Sequence, residues 1–177
     1  MDAPDSWQEI MLRPLAAVVG AALLGLDREI HRKPAGLRTH MMVALGATVF
    51  TLVTLQLFEQ MRQDGDAWAG ADPLRAISGV AGGIGFLGAG AIIQSRGTVE
   101  GITTAATIWV TGALGVACGA GYYRMAGVLV GYALVILVVI GWIEFRFRAG
   151  QPPGPPASDP HEAPASPKWP SGGVNTG

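Results

Sequence analysis

The sequence is poor in charge and almost free of cysteine. Charged residues make up 14% of its 177 residues, whereas a soluble domain carries about a quarter. What charge there is gathers in short segments between long uncharged runs, the pattern of a polytopic membrane protein. The single cysteine, Cys118, excludes a disulfide framework within one chain. A net charge of −1 leaves no basic footprint, so nucleic acid is excluded as a partner. The opening MDAPDSWQEI is acidic where a secretory signal is basic, so the first hydrophobic run is expected to stay in the mature protein. There is no P-loop, no nucleophile elbow and no Cys/His constellation, which leaves a hydrolase or ATPase without residues and predicts a protein that is not an enzyme.

What is present is a series of apolar runs, and these predict an all-α polytopic transmembrane bundle of about five segments. The first is the shortest. Pro14 to Leu26 is uncharged for only 13 residues, about 20 Å of helix. It extends back to Trp7 if Arg13 snorkels and Glu9 sits near the headgroups. The others run from Thr39 to about Phe58, from Ala76 to Ile93, from Gly101 to about Gly121 and from Met125 to Ile143. Each approaches the roughly 20 residues that cross a bilayer. Residues 1–149 form this membrane domain. Residues 150–177 hold eight of the twelve prolines and almost no aliphatic side chains, which predicts a disordered tail.

Cations set the expected orientation. Arg28, Arg32, Lys33, Arg38, Arg96, Arg146 and Arg148 fall on one side of the five segments, against Arg13, Arg62, Arg75 and Arg124 on the other. The positive-inside rule then puts the C-terminus in the cytoplasm. The connection DREIHRKPAGLR, with Asp27, Arg28, Arg32 and Arg38, reads as a charged cytoplasmic loop that touches anionic lipid. Asp27 can pair with Arg28 or Arg38, cap a helix, or help to hold a cation. Asp27 and Glu100 are the candidate metal ligands, because magnesium prefers oxygen donors. His31 and His40 are too far apart for a helical metal pair. No acid lies at the centre of a span, which counts against a simple carrier.

Two motifs lie in the third and fourth segments. Gly83, Gly85 and Gly88 match G-x-G-x-x-G, but no strand precedes them and no acid follows at the right distance, so a nucleotide site is excluded. Gly79 and Gly83 are instead four apart, as are Ala81, Gly85 and Ala89, which makes small-residue faces for helix packing. Thr103, Thr107, Thr111, Gly115 and Gly119 follow at i+4 spacing. This row is expected to be a tight interface with the third segment or, alternatively, the lining of a small polar or ionic pathway.

The blocks GLDREIHRKPAGLRTHMMVALGATVF, SGVAGGIGFLGAGAII and GTVEGITTAATIWVTGALGVACGAGYY, in this order, resemble the membrane domain of the MgtC/SapB family over roughly residues 14–145. The matching positions include Asp27, Arg28, Gly36, Arg38, Gly83, Gly85, Gly88, Gly101, Thr103, Thr104, Thr107 and Trp109. The resemblance implies a bacterial inner-membrane protein associated with growth when magnesium is scarce and, in some members, with virulence. It implies magnesium as a ligand or signal, with no resident cofactor. Lipids, a membrane-protein partner or a second copy are the implied contacts. The first reading is a protein acting through such contacts; the second is a magnesium or other small-cation transporter. Some members carry Asn where this chain has Thr103, so a role that needs an amide does not carry over. Some also carry a cytoplasmic domain where this sequence has its proline-rich tail.

Overall fold

The computed structural model describes residues 6–63, 72–95 and 98–148, and those residues are almost entirely helical. Helix α1 spans Trp7–Ile30, α2 Leu37–Gln63 and α3 Pro73–Gly90. A two-stranded antiparallel hairpin follows, β1 Ile93–Ser95 paired with β2 Thr98–Glu100, with Gln94 opposite Val99. Then come α4 Ile102–Gly119, α5 Tyr123–Val135, a π-helical turn Ile136–Ile140 and α6 Gly141–Arg148. The expected disordered tail, and Arg96 between the strands, lie outside the described residues.

Local sequence explains the helix ends. Ser6 caps α1, its hydroxyl accepting from the backbone N–H of Glu9 at 3.3 Å. The C-terminus of α1 is a Schellman turn. Lys33 N–H donates to the Arg28 carbonyl at 2.9 Å and Arg32 N–H to the Glu29 carbonyl at 3.0 Å. Arg32 takes the left-handed position with φ 51°, where glycine is usual, and Pro34 follows. The same turn ends α4, with Gly121 at φ 80°, Tyr122 N–H on the Ala117 carbonyl and Gly121 N–H on that of Cys118. The α2 N-terminus is capped from a distance. A Glu29 carboxylate oxygen accepts from Leu37 N–H at 3.0 Å, which binds the two ends of the short connection together.

Four helices are long and apolar enough to cross a membrane: α1, α2, α4 and the continuous Tyr123–Ile143. The protein is therefore a helical membrane protein. Helix α3 is not among the four; it has 18 residues, six of them glycine. It nevertheless runs antiparallel to α4 along most of its length. Gly88 lies against Ala105, Ile84 against Gly112, and Pro73 borders the same crevice as Ala120. The first segment, short by composition, is a full 24-residue helix that runs through Pro14. The third segment ends at Gly90, earlier than Ile93, because the chain there turns into the hairpin.

The bundle is centred on α1, α2 and α4. Its main core joins Ala17, Ala21 and Leu24 of α1 to Ala44, Leu114, Cys118, Ala126 and Val130. A second cluster joins Ala35, Ala47, Ile84 and Ile108. Small residues dominate the contacts, as expected where lipid gives no hydrophobic reward for helix association.

Candidate functional site

The buried face of α1 reads Arg13, Ala17, Ala21, Leu24, Gly25, Arg28. It is a stripe of mostly small residues with an arginine at each end. Arg13 is 6% exposed and Arg28 4% exposed, so neither snorkels outward. Arg13 Nη1 donates to the carbonyl of Gly119 at 2.9 Å, and Nη2 to Glu9 at 2.7 Å. Arg28 Nη2 donates to the Thr104 hydroxyl at 2.8 Å. Gly119 and Thr104 both belong to α4 and stand fifteen positions apart, as do Arg13 and Arg28 on α1, about 22 Å. Helix α1 therefore grips antiparallel α4 at both ends.

The two grips differ in electrostatics. Arg13 meets the last turn of α4, where free carbonyls and the negative dipole end favour a cation. Arg28 meets the first turn of α4, which disfavours one. It is compensated by its place in the last turn of α1 and by neighbouring Asp27.

Between the grips, α4 packs on α2. A methyl group added at Gly115 would lie 2.5 Å from the Ala44 carbonyl oxygen and 2.7 Å from Ala47 Cβ; one at Gly119 would lie 2.8 Å from Thr51 Cβ. These glycines let two backbones approach. The Thr48 hydroxyl sits in the gap, shared between the Ala44 carbonyl at 2.8 Å and that of Gly115 at 3.0 Å. Thr107 donates to the Thr104 carbonyl at 2.9 Å and Thr111 to the Thr107 carbonyl at 2.8 Å, both within α4.

Several expectations are corrected. Thr103 lies on the outer surface and the buried threonine is Thr104. Four residues of helix turn by about 400°, so an i+4 row drifts about 40° per step and leaves any one face. The buried face instead follows Thr104, Thr107, Thr111, Leu114/Gly115 and Cys118, which alternates steps of three and four. That face packs on α2 at its glycine end, and not on α3. Helix α3 meets α4 only through Ile84 and Gly88 among its buried residues. Gly79, Gly83 and Gly85 lie on the outer surface with nothing within 4 Å of an added Cβ. Arg28, expected in a solvated loop, is helical and buried.

Of the residues expected in the charged loop only Arg32 lies in the connection; Asp27 is in the last turns of α1, and Arg38, though exposed, is in the first turn of α2. Asp27 lies 3.4 Å from His31, and Glu100 is exposed at the end of β2. Among the described residues no three His, Cys, Asp or Glu side chains come together in a way that could hold a metal ion. Two of these glycines share a feature. Gly79, Gly83 and Leu87 of α3 face Met42, Gly46 and Phe50 of α2 across an open, largely apolar groove of about 690 Å³.

The sequence profile of the MgtC family matches residues 15–146. The chain belongs to the MgtC family. Its match to SrpB of Synechococcus elongatus is 38% identical over 77% of the chain and 76% of that protein. YhiD of Escherichia coli K12 is 34% identical over 79% of the chain, and MgtC of Salmonella typhimurium 40% over 66%. The chain spans 63% of YhiD and 46% of MgtC. No solved structure matches. The matched region takes in Arg28 but not Arg13, which stands just before it.

Proposed function

We propose that this protein acts through contacts in the membrane, as a non-enzymatic component of magnesium or ion homeostasis in the bacterial inner membrane. The observation that carries the reading is the closed state of the α4 row. Thr107 and Thr111 are buried with their hydroxyl protons on carbonyls of their own helix, and Gly115 and Gly119 are filled by α2. A row used in this way offers packing and no polar path. A surface open to a membrane-protein partner is the groove between α2 and α3, with Gly79 and Gly83. The cation excess at the Arg28 end supports a cytoplasmic location for that end and for the C-terminus.

The link to magnesium rests on the family. YhiD bears a name that makes it a candidate magnesium transporter, and this favours the second reading, a cation transporter with Thr107 and Thr111 on its path and Asp27 or Glu100 at its mouths. Complementation separates the two. In a strain that needs this gene in low magnesium, Thr107→Val restores growth, while Gly83→Leu does not, although it is made and folded at the normal level. The opposite pattern, with both variants folded, overturns the reading.

A further inference from the structure

His40 opens the second turn of α2 and is fully buried. Its Nδ1 lies 2.8 Å from the Gly36 carbonyl oxygen. A carbonyl only accepts, so Nδ1 holds the proton of the neutral ring, and a second proton has to go to Nε2. Among the described residues neither His40 Nε2 nor Arg28 Nε has a hydrogen-bond partner, although both are buried.

The surroundings of the ring are lopsided in charge. From α1, Gly25 brings the backbone close, since an added Cβ there would lie 3.2 Å from His40 Cβ. One turn further along the same buried face of α1 stands the guanidinium of Arg28. Asp27 lies beside Arg28 and near exposed His31, and Glu29 is taken up by Leu37 N–H. Helix α4 contributes Thr104, which is uncharged and bonded to Arg28. On α2 itself, Arg38 points to the surface.

We propose that His40 is a proton-responsive latch at the end of the bundle where α1 turns into α2. Adding a proton at Nε2 puts a second positive charge at the buried junction that already holds the guanidinium of Arg28, with no acceptor for it among the described residues. An opened junction takes that proton in water without this penalty. The closed junction thus binds fewer protons than the open one, and acidification through the ordinary imidazole range favours opening. Opening separates α1 from α2 at Gly25 and releases the grip of Arg28 on the first turn of α4.

Hydrogen exchange of the amides of residues 38–47 tests this, on the full chain in phospholipid nanodiscs between about pH 8 and pH 5, with each rate corrected for its intrinsic pH dependence. The wild type is expected to lose protection as the pH falls, by up to about tenfold per pH unit. His31→Asn is expected to behave in the same way. His40→Asn, whose amide keeps a donor for the Gly36 carbonyl, is expected to be flat. Arg28→Gln, which keeps a donor for Thr104 without the charge, is expected to show a weaker slope. A flat wild type overturns the proposal, as does an unchanged slope in His40→Asn. If His40→Asn does not fold, Arg28→Gln decides: a slope equal to that of the wild type overturns it.

Discussion

Arg28 and Thr104 stand 76 positions apart in sequence and meet across 2.8 Å, the guanidinium donating to the hydroxyl inside the bundle. This bond joins the end of α1 to the start of α4. With Arg13 on the Gly119 carbonyl it fixes the register of the two antiparallel helices. It also explains why a charge can lie buried here: the cation is hydrogen-bonded and close to a carboxylate.

Thr104→Val keeps the shape of the side chain and removes the acceptor. Stability should fall by about 1.5–3 kcal/mol, the range for hydrogen bonds to charged groups. Thr103→Val, one position away on the outer surface, should stay within about 0.5 kcal/mol. Unfolding in mixed micelles, followed by tryptophan fluorescence, compares the two.

Gly115→Ala and Gly83→Ala form a second contrast. The first forces a methyl group onto the Ala44 carbonyl and Ala47, and overpacking of this kind costs about 1–3 kcal/mol. The second meets open space and should not destabilise the isolated chain, since Ala is also the better helix former. The same unfolding assay reads both.

At the other grip, Arg13→Gln should cost about 1.5–3 kcal/mol, the range for hydrogen bonds to charged groups. The loss should appear locally as faster hydrogen exchange in the last turn of α4, where Arg13 holds the Gly119 carbonyl. Equal protection there in variant and wild type would show that the carbonyl needs no cap from α1.

Much of the fold was legible because apolar run length reports directly on spanning helices. Segments two, four and five agree with α2, α4 and the α5–α6 helix to within a few residues, apart from the ends of α2 and of the last helix. The buried arginines were not legible. A charge at the edge of an apolar run looks solvated unless its acceptor is known, and Thr104 and Gly119 come from a helix far away in sequence. The α3 glycines misled for a related reason. A small residue permits close approach without saying which helix approaches, and here Gly79 and Gly83 face outward while Gly115 and Gly119 make the contact. The i+4 row from Thr107 to Gly119 is buried, but its glycine end packs on α2 and not on the expected third segment, and Thr103 falls outside the buried face.

Under the proposed function the α4 row is a closed packing seam and the protein acts by contact. Purified protein in liposomes loaded with a magnesium-sensitive dye tests it most directly. No protein-dependent magnesium flux is expected from a sample shown to be folded and inserted. Flux that Thr107→Val or Asp27→Ala abolishes, with the variant still folded, would contradict it.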